Sequence, residues 1–261
     1  MLGLNLPMSL IKTEASLPER FYPLITLGLG PLLMAQGRRV RRETPRLPEA
    51  EGARDGRTGN GASLRLLIAG DSAAAGVGVE HQDEALAGRL LAELVSRYAV
   101  QWQLQATSGH TLADLLAQLE SIPAPPVDAP VDVVVLSIGV NDATSGISLR
   151  QWQKRLQSLL ILLQTKFAAR HVLFSTLPPM HHFPALPQPL RWYMGLRAQR
   201  LNRALADTLR HQENVELAII DFPHADGYIA HDGFHPGAVA YALWAAQLGQ
   251  IIQRRFPPQE V

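Results

Sequence analysis

Five apolar segments of strand length alternate with segments of helical periodicity from Leu64 onward, and this alternation most constrains the fold. The predicted strands cover Leu64–Ala69, Val100–Ala106, Val131–Ile138, His171–Leu177 and Val215–Asp221. The predicted helices cover Glu84–Tyr98, Thr111–Ile122, Leu149–Phe167, Leu190–Gln212 and Pro236–Arg255. Repeated strand–helix units favour right-handed crossovers and a parallel sheet with helices on both faces. We therefore predict an α/β fold, a three-layer α/β/α sandwich around a five-stranded parallel sheet.

The first 62 residues differ in composition from the rest, and we predict that they precede a folded domain spanning residues 63–261. Residues 21–37 are uncharged and mostly apolar, and residues 38–42 then contain four arginines. A bilayer core requires about 20 apolar residues, with about 17 as the lower limit. Two interpretations of residues 21–42 remain open: a membrane-spanning anchor, or a leader that lies on the lipid surface with its arginines near anionic headgroups. Residues 43–62 are rich in glycine, proline and charge, which is typical of a polar linker.

Charge and cysteine content restrict the location and the partners of the chain. A secretory signal carries its positive charge before the apolar run, whereas here the charge follows it, so cleaved export is disfavoured. We predict a cytoplasmic protein, attached to the inner face of the membrane if the leader binds there, with a periplasmic location as the alternative. The net charge of +1 gives no reason to expect a nucleic-acid partner. The absence of cysteine excludes disulfides, thiolate metal sites and a cysteine nucleophile.

Each motif that could carry chemistry follows a predicted strand. The four blocks are Gly70-Asp71-Ser72, Ser108-Gly109-His110, Gly139-Val140-Asn141-Asp142 and Asp232-Gly233-Phe234-His235. Any one of them alone is more often a turn, a helix cap or a surface loop than a catalytic motif. The carboxyl ends of parallel strands converge at one edge of a sheet, so residues far apart in sequence can share one site there. The four blocks in this order therefore indicate an active site.

The residue types in these blocks match the requirements of acyl transfer to water. A serine nucleophile needs a base to remove its proton, a group that orients the base, and donors for the developing oxyanion. Ser72, His235 and Asp232 can fill the first three roles, because a carboxylate three residues before a histidine can accept from its Nδ1–H. The backbone N–H groups of Ser72 and Gly109 and the side-chain amide of Asn141 are the candidate oxyanion donors.

These four blocks resemble the motifs of the SGNH hydrolases, also named GDSL-type esterases and lipases, and the resemblance covers about residues 64 to 255. It implies a flavodoxin-like sandwich and ester hydrolysis through an acyl-enzyme, without a metal or another cofactor. The residues that name the family would be Ser72, Gly109, Asn141 and His235, with Asp232 completing the triad. One departure concerns the acyl pocket rather than the nucleophile. The family usually has leucine or isoleucine after the serine, and this chain has alanine.

We predict a serine hydrolase that cleaves small-molecule carboxylic esters of short or medium acyl chains. Phe183, Trp192 and Tyr193 lie in or just after the long loop that follows the fourth strand, where they could line an apolar substrate pocket. His181 and His182 precede them without a carboxylate at metal-ligand spacing, so we expect no metal. Thioesters and lysophospholipids are the alternative substrates. The alternative from a different class is a membrane-tethered interaction module on an inactive hydrolase scaffold.

Overall fold

The computed structural model describes residues 21–210, 212–220 and 227–257. The chain divides into two compact units, Met1–Glu43 and Thr44–Val261. Residue 211 of the fourth predicted helix and residue 221 of the fifth predicted strand lie outside the described residues. The predicted boundary at residue 62, between the leader with its linker and a hydrolase domain, stays a prediction.

In the first unit, helix α1 extends over Tyr22–Glu43 and contains Pro31 in its interior. No helix in the described ranges combines the length and the apolar character that crossing a membrane requires. This finding contradicts the spanning interpretation of residues 21–42. The physical reason lies in the composition of α1, because the apolar part contains glycines and two prolines and the last turns carry four arginines.

In the second unit, the described residues form a six-stranded sheet with the order β1-β3-β2-β4-β5-β6. The strands are β1 (Asp55–Thr58), β2 (Ala62–Gly70), β3 (Tyr98–Ala106), β4 (Val133–Ser137), β5 (His171–Ser175) and β6 (Val215–Ala218). β1 runs antiparallel to β3, and the other five strands are parallel to one another. The predicted α/β class and five-stranded parallel arrangement are confirmed, with one additional strand at the edge.

The additional strand β1 lies within residues 43–62, where the sequence predicts a polar linker. Its four residues are alternately exposed and half-buried and include no large apolar side chain. An edge strand needs no apolar residues on its solvent side, so it can lack the pattern on which strand prediction depends. This part of the segment is therefore ordered through backbone pairing with β3 rather than through an apolar face.

Helices cover both faces of the sheet in the second unit. They are α2 (Leu86–Leu94), α3 (Leu112–Ser121), α4 (Val140–Ser145), α5 (Leu149–Thr165), α6 (Leu190–Leu209) and α7 (Ala238–Arg255). α2 packs against α7 over one face, where their apolar side chains form a buried cluster with the strands. α5 packs against both α3 and α6 in the other layer. The short helix α4, which begins three residues after β4 ends, is absent from the predicted helices.

The order of the strands positions the site. From β2 the chain crosses to β3 on one side, and β4 then pairs with the opposite side of β2. Such a change of direction opens a crevice at the carboxyl end of the central strand, where α/β proteins bind their ligands. Every residue of β4 is buried, as expected for a parallel strand covered on both faces. The turn that follows β2 therefore emerges into the crevice.

Candidate active site

Ser72 lies in the turn directly after β2, close to the end of β4. A Cβ atom on Gly70 would lie 2.0 Å from the carbonyl oxygen of Ser137, so only glycine fits where the two strands part. The backbone N–H of Asp71 then donates to that same carbonyl at 3.0 Å. The N–H of Val77 donates to the carbonyl of Ser72 at 3.0 Å, which curls the chain around the serine. Ser72 is therefore held by backbone contacts, and it lines the cavity described below.

The loop that precedes α7 brings His235 to Ser72. Nε2 of His235 lies 3.0 Å from Oγ of Ser72, within hydrogen-bond distance. The loop is closed by the N–H of Ala230, which donates to the carbonyl of His235 at 2.8 Å. A Cβ atom on Gly78, whose φ is +110°, would lie 2.1 Å from the carbonyl oxygen of Pro236. Gly78 thus allows the turn after Ser72 and the loop of His235 to approach each other closely.

Asp232 fixes the orientation of the imidazole. Its Oδ2 lies 2.5 Å from Nδ1 of His235, and its Oδ1 accepts from the backbone N–H groups of Phe234 at 2.9 Å and His235 at 3.0 Å. Burial alone would raise the pKa of Asp232, but the hydrogen bonds from His235 and the two backbone N–H groups hold it below its ordinary value. The carboxylate is therefore ionised and points at Nδ1, which leaves Nε2 to face the serine.

The candidate oxyanion donors follow the two strands that flank β2. Gly109 lies in the turn after β3 with a φ of +86°, and Asn141 lies in the first turn of α4, after β4. Nδ2 of Asn141 donates to the carbonyl of His110 at 2.9 Å, which joins these two segments. The N–H of Thr107 donates to the carbonyl of Gly70 at 3.3 Å and holds the turn after β3 beside the end of β2. An amide nitrogen carries two N–H bonds, so Asn141 has a second one to offer.

Two further carboxyl groups are buried close to these residues. Burial raises the pKa of Asp71 to about 7, although the N–H of Ala73 donates to its Oδ1 at 3.2 Å. Burial also raises the pKa of Asp142 to about 6, against the hydrogen bond of 2.9 Å that its Oδ2 accepts from the N–H of Leu112. These bonds connect the turn of Ser72 internally and α4 to the start of α3. Both carboxyl groups therefore support the backbone around the site.

A cavity of about 350 Å³ opens beside Ser72 and His235. Its walls are mostly apolar, and Phe183 and Trp244 are among them. The lining within the described part of the chain does not include Trp192 or Tyr193. Trp192 is 38% exposed on α6 and Tyr193 is buried, so the structure brings only one of the three predicted pocket residues to the cavity.

Trp244 and Ile220 line the cavity and are absent from the predicted site residues. Ile220 follows β6 and Trp244 lies within α7, so in sequence both look like ordinary core residues. Their position beside Ser72 depends on the order of the strands, which no local pattern reveals. The apolar periodicity of the last helix is the one signal that could have drawn attention to Trp244.

The site offers no obvious place for a metal ion. The ranges that the structure describes contain no group of three or more histidine, cysteine, aspartate or glutamate side chains able to hold one. The rings of His181 and His182 lie 3.9 Å apart, and His182 also lines the cavity. The described side chains that meet beside the cavity are a hydroxyl, an imidazole and a carboxylate in line.

Comparisons with known proteins show the family of the chain. Residues 68–243, more than half of the chain, match the model of the GDSL-like lipase/acylhydrolase family. A curated relative, the GDSL-like esterase Rv1075c of Mycobacterium tuberculosis, is 29% identical over 191 residues, which cover 70% of this chain and 59% of that protein. The chain thus spans about three fifths of the length of this relative.

Solved structures share the fold at lower sequence identity. TesA is 22% identical with a TM-score of 0.56, covering 73% of this chain and 99% of its own. The esterase EstA from Pseudoalteromonas sp., solved in a form inhibited by monoethylphosphonate, is 19% identical with a TM-score of 0.55. The match covers 74% of this chain and 98% of EstA. A carbohydrate esterase family 2 enzyme from Corynascus thermopiles is 18% identical with a TM-score of 0.60. The match covers 76% of this chain and 68% of that enzyme. At these identities the likeness concerns the fold.

Proposed function

Because the chain belongs to the GDSL-like lipase/acylhydrolase family, we propose that it is a serine esterase that hydrolyses small carboxylic esters through an acyl-enzyme. One observation supports this most directly: Oγ of Ser72, Nε2 of His235 and the carboxylate of Asp232 form a continuous chain of contacts of 3.0 and 2.5 Å. These are the distances at which a base can take the proton of a nucleophile and a carboxylate can orient that base.

In the proposed first step, Nε2 of His235 takes the proton of Ser72 while Oγ attacks the carbonyl carbon of the ester. A new C–O bond forms, and the electron pair of the C=O bond moves to the carbonyl oxygen. That oxygen then returns the pair, the bond to the alcohol oxygen breaks, and His235 gives its proton to the departing alcohol. The products of this half-reaction are a free alcohol and an acyl group on Ser72.

In the second half-reaction, water replaces the alcohol. His235 takes one proton from the water while the water oxygen attacks the acyl carbon, which gives a second tetrahedral intermediate. When this intermediate collapses, the bond to Oγ breaks and His235 gives the proton to Oγ of Ser72. The carboxylic acid leaves and the serine is regenerated. Asp232 holds the Nδ1 proton in place throughout and stabilises the imidazolium that forms in each step.

The oxyanion of each tetrahedral intermediate requires donors that are already in place. We assign this role to the backbone N–H groups of Ser72 and Gly109 and to the second N–H bond of the Asn141 amide. This assignment rests on their location, since the three groups follow the central strand β2 and its two neighbours at the same edge of the sheet. The hydrogen bond from Asn141 to His110 keeps the amide from rotating.

Labelling with a fluorophosphonate probe tests the proposal. The probe forms a covalent bond only with an activated serine, so we expect the folded wild-type protein to be labelled at Ser72 and Ser72→Ala to be unlabelled. Ser108→Ala is the matched control, because Ser108 is exposed in the neighbouring turn and should leave labelling unchanged. An unlabelled but folded wild-type protein would instead favour the inactive interaction module. Thioester and lysophospholipid hydrolysis remain alternatives within the same mechanism, to be separated by comparing matched oxygen esters and thioesters.

We further propose that α1 attaches the protein to an anionic lipid surface, with the cytoplasmic leaflet as its location and the periplasm as the alternative. Leu24, Leu27 and Met34 lie toward one side of α1 and are 64%, 80% and 58% exposed. Arg38 and Arg42 continue the same side, so apolar and cationic groups would meet the membrane together. Sedimentation with phosphatidylglycerol vesicles, but not with phosphatidylcholine vesicles, is the expected result. Equal sedimentation of a Leu27→Glu variant would contradict it.

A further inference from the structure

Among the described residues, those at the ends of other strands that line the cavity beside Ser72 all lie on one side of β2. Besides the turn of Ser72, it is lined by Ser137 at the end of β4, by Thr176 just after β5 and by Ile220 just after β6. These strands lie in that order on one side of β2, whereas the turn of Gly109 follows β3 on the other side. A substrate bound to Ser72 would therefore direct its oxyanion toward β3 and β4, and any group in the cavity would lie over β4, β5 and β6.

Helix α7 forms one wall of this cavity through Ala240 and Trp244. The two residues are four positions apart, so their side chains share one face of the helix. Ala240 leaves space there, and the indole of Trp244 takes up space one turn farther from His235. The wall is therefore open at its beginning and occupied by a large ring one turn later.

The indole of Trp244 is fixed in place. Its Nε1–H donates to Oγ of Ser175 at 3.0 Å, and its ring stacks on Tyr241 with 6.3 Å between centroids and 8° between planes. Tyr241 is in turn held by its hydroxyl, which donates to the carbonyl of Val77 at 2.7 Å. Because the N–H of the indole is satisfied by Ser175, the part that lines the cavity is apolar. Trp244 thus acts as a rigid stop and not as a movable gate.

From these contacts we infer that the cavity is the acyl site and that Trp244 sets the length of the acyl chain it accepts, an inference that rests on the proposed esterase function. The acyl group stays bound to Ser72 after the alcohol has left, so it gains most from an enclosed apolar site. The alcohol must be exchanged for water, which requires access from solvent near His235, whose side chain is 20% exposed. A cavity of about 350 Å³ is near the lower end of ligand pockets, roughly 300–1,000 Å³. It therefore suits one unbranched, uncharged acyl chain of short to medium length.

The inference predicts opposite effects for two substitutions on α7. Trp244→Phe replaces the indole with a smaller ring and so lengthens the acyl site. The kcat/KM for long-chain p-nitrophenyl esters, divided by that for short-chain esters, should rise by about fourfold for each additional methylene that fits. Ala240→Leu fills the space that Ala240 leaves in the cavity, one helical turn before Trp244. It should lower the same ratio by about the same factor for each methylene excluded. Using two variants guards against loss of folding in one of them, and Val239→Leu is the control, because Val239 is 48% exposed on the same helix.

A second series separates the acyl from the alcohol site. With a constant acetyl group and alcohols of increasing length, both variants should give the wild-type profile. If the alcohol profile shifts and the acyl profile does not, the assignment of the cavity is overturned. If both profiles stay at wild type in variants that still bind the fluorophosphonate probe, Trp244 is not the stop and the inference fails while the esterase proposal stands. An absence of labelling and of turnover in the wild-type protein would overturn the proposed function itself.

Discussion

Nε2 of His235 lies 3.0 Å from Oγ of Ser72, although the two residues are 163 positions apart in the chain. Replacing either residue by alanine removes one partner of this contact and with it the proposed activation of the serine. We expect kcat/KM for p-nitrophenyl acetate to fall at least about 10⁴-fold in Ser72→Ala and in His235→Ala. Thermal unfolding should show that both variants remain folded.

His231→Ala is the control for the assignment of the base. His231 is exposed and lies four residues before His235 in the same loop. Its removal should leave kcat/KM within about twofold of the wild-type value, since it makes no contact that the proposed mechanism uses. Full activity of His235→Ala together with an inactive His231→Ala variant would mean that the wrong histidine has been assigned.

Asp232→Asn tests the orientation of the imidazole. Asparagine can donate as well as accept, so Nδ1 of His235 need no longer carry the proton, and the required tautomer is lost. We expect kcat to fall by about 10²- to 10⁴-fold with little change in KM. The hydrogen bonds that lower the pKa of Asp232 keep the wild-type carboxylate ionised on the acidic side, so the acidic limb of the wild-type pH profile should not follow this group. Asp128→Asn, at an exposed position, should match the wild-type protein in steady-state kinetics.

Asn141→Ala tests the proposed oxyanion donor. If the amide donates to the oxyanion only in the transition state, kcat should fall by about 10²- to 10³-fold while KM changes little. A decrease of less than tenfold would remove Asn141 from this role. Asn214→Ala is a suitable comparison, because the side chain of Asn214 lies in an exposed loop. Asn141 also donates to the carbonyl of His110, so its replacement can affect stability as well as catalysis. The melting temperatures of both variants should therefore be measured to distinguish the two effects.

Asp71 should make the stability of the protein depend on pH. Burial raises its pKa in the folded state from an ordinary 3.8 to about 7. The neutral carboxyl therefore contributes stability that is fully present below about pH 4 and is lost as the pH rises to about 7. Asp71→Asn stays neutral at every pH, and its side-chain oxygen can still accept from the N–H of Ala73.

The free energy of unfolding of Asp71→Asn minus that of the wild-type protein should therefore increase between pH 5 and pH 8, by roughly 1–4 kcal/mol. Denaturant titrations at the two pH values measure this difference. The buried carboxyl of Asp142, whose pKa is also raised, is present in both proteins, so its own contribution cancels and only its charge–charge interaction with Asp71 differs. A difference that is constant with pH would show that Asp71 is ionised in the folded state throughout this range.

The five parallel strands could be predicted from the sequence because each carries its own local signal. The apolar segment Leu64–Ala69 corresponds to β2, and Val131–Ile138 corresponds to β4, with ends that differ by a few residues. β1 could not be predicted in the same way. Its four residues have no apolar face and are ordered by pairing with β3, which lies more than 40 positions later in the chain.

The candidate site shows the same division. Ser72, His235 and Asp232 belong to short motifs, so they can be identified from the sequence alone. The structure brings them into contact. The walls of the cavity are not marked in this way. Trp192 and Tyr193 looked suitable because they follow a long loop, yet within the described residues the lining includes Trp244 and Ile220 instead.

By itself, the sequence determined the five parallel strands, the five long helices of the second unit and the candidate residues for the chemistry, because these depend on residue types at short separations. The tertiary structure alone decided that β2 lies between β3 and β4 and that α7 borders the cavity with Trp244. These features depend on which surfaces meet when the layers pack. Contacts between distant parts of a chain leave no pattern in the spacing of neighbouring residues.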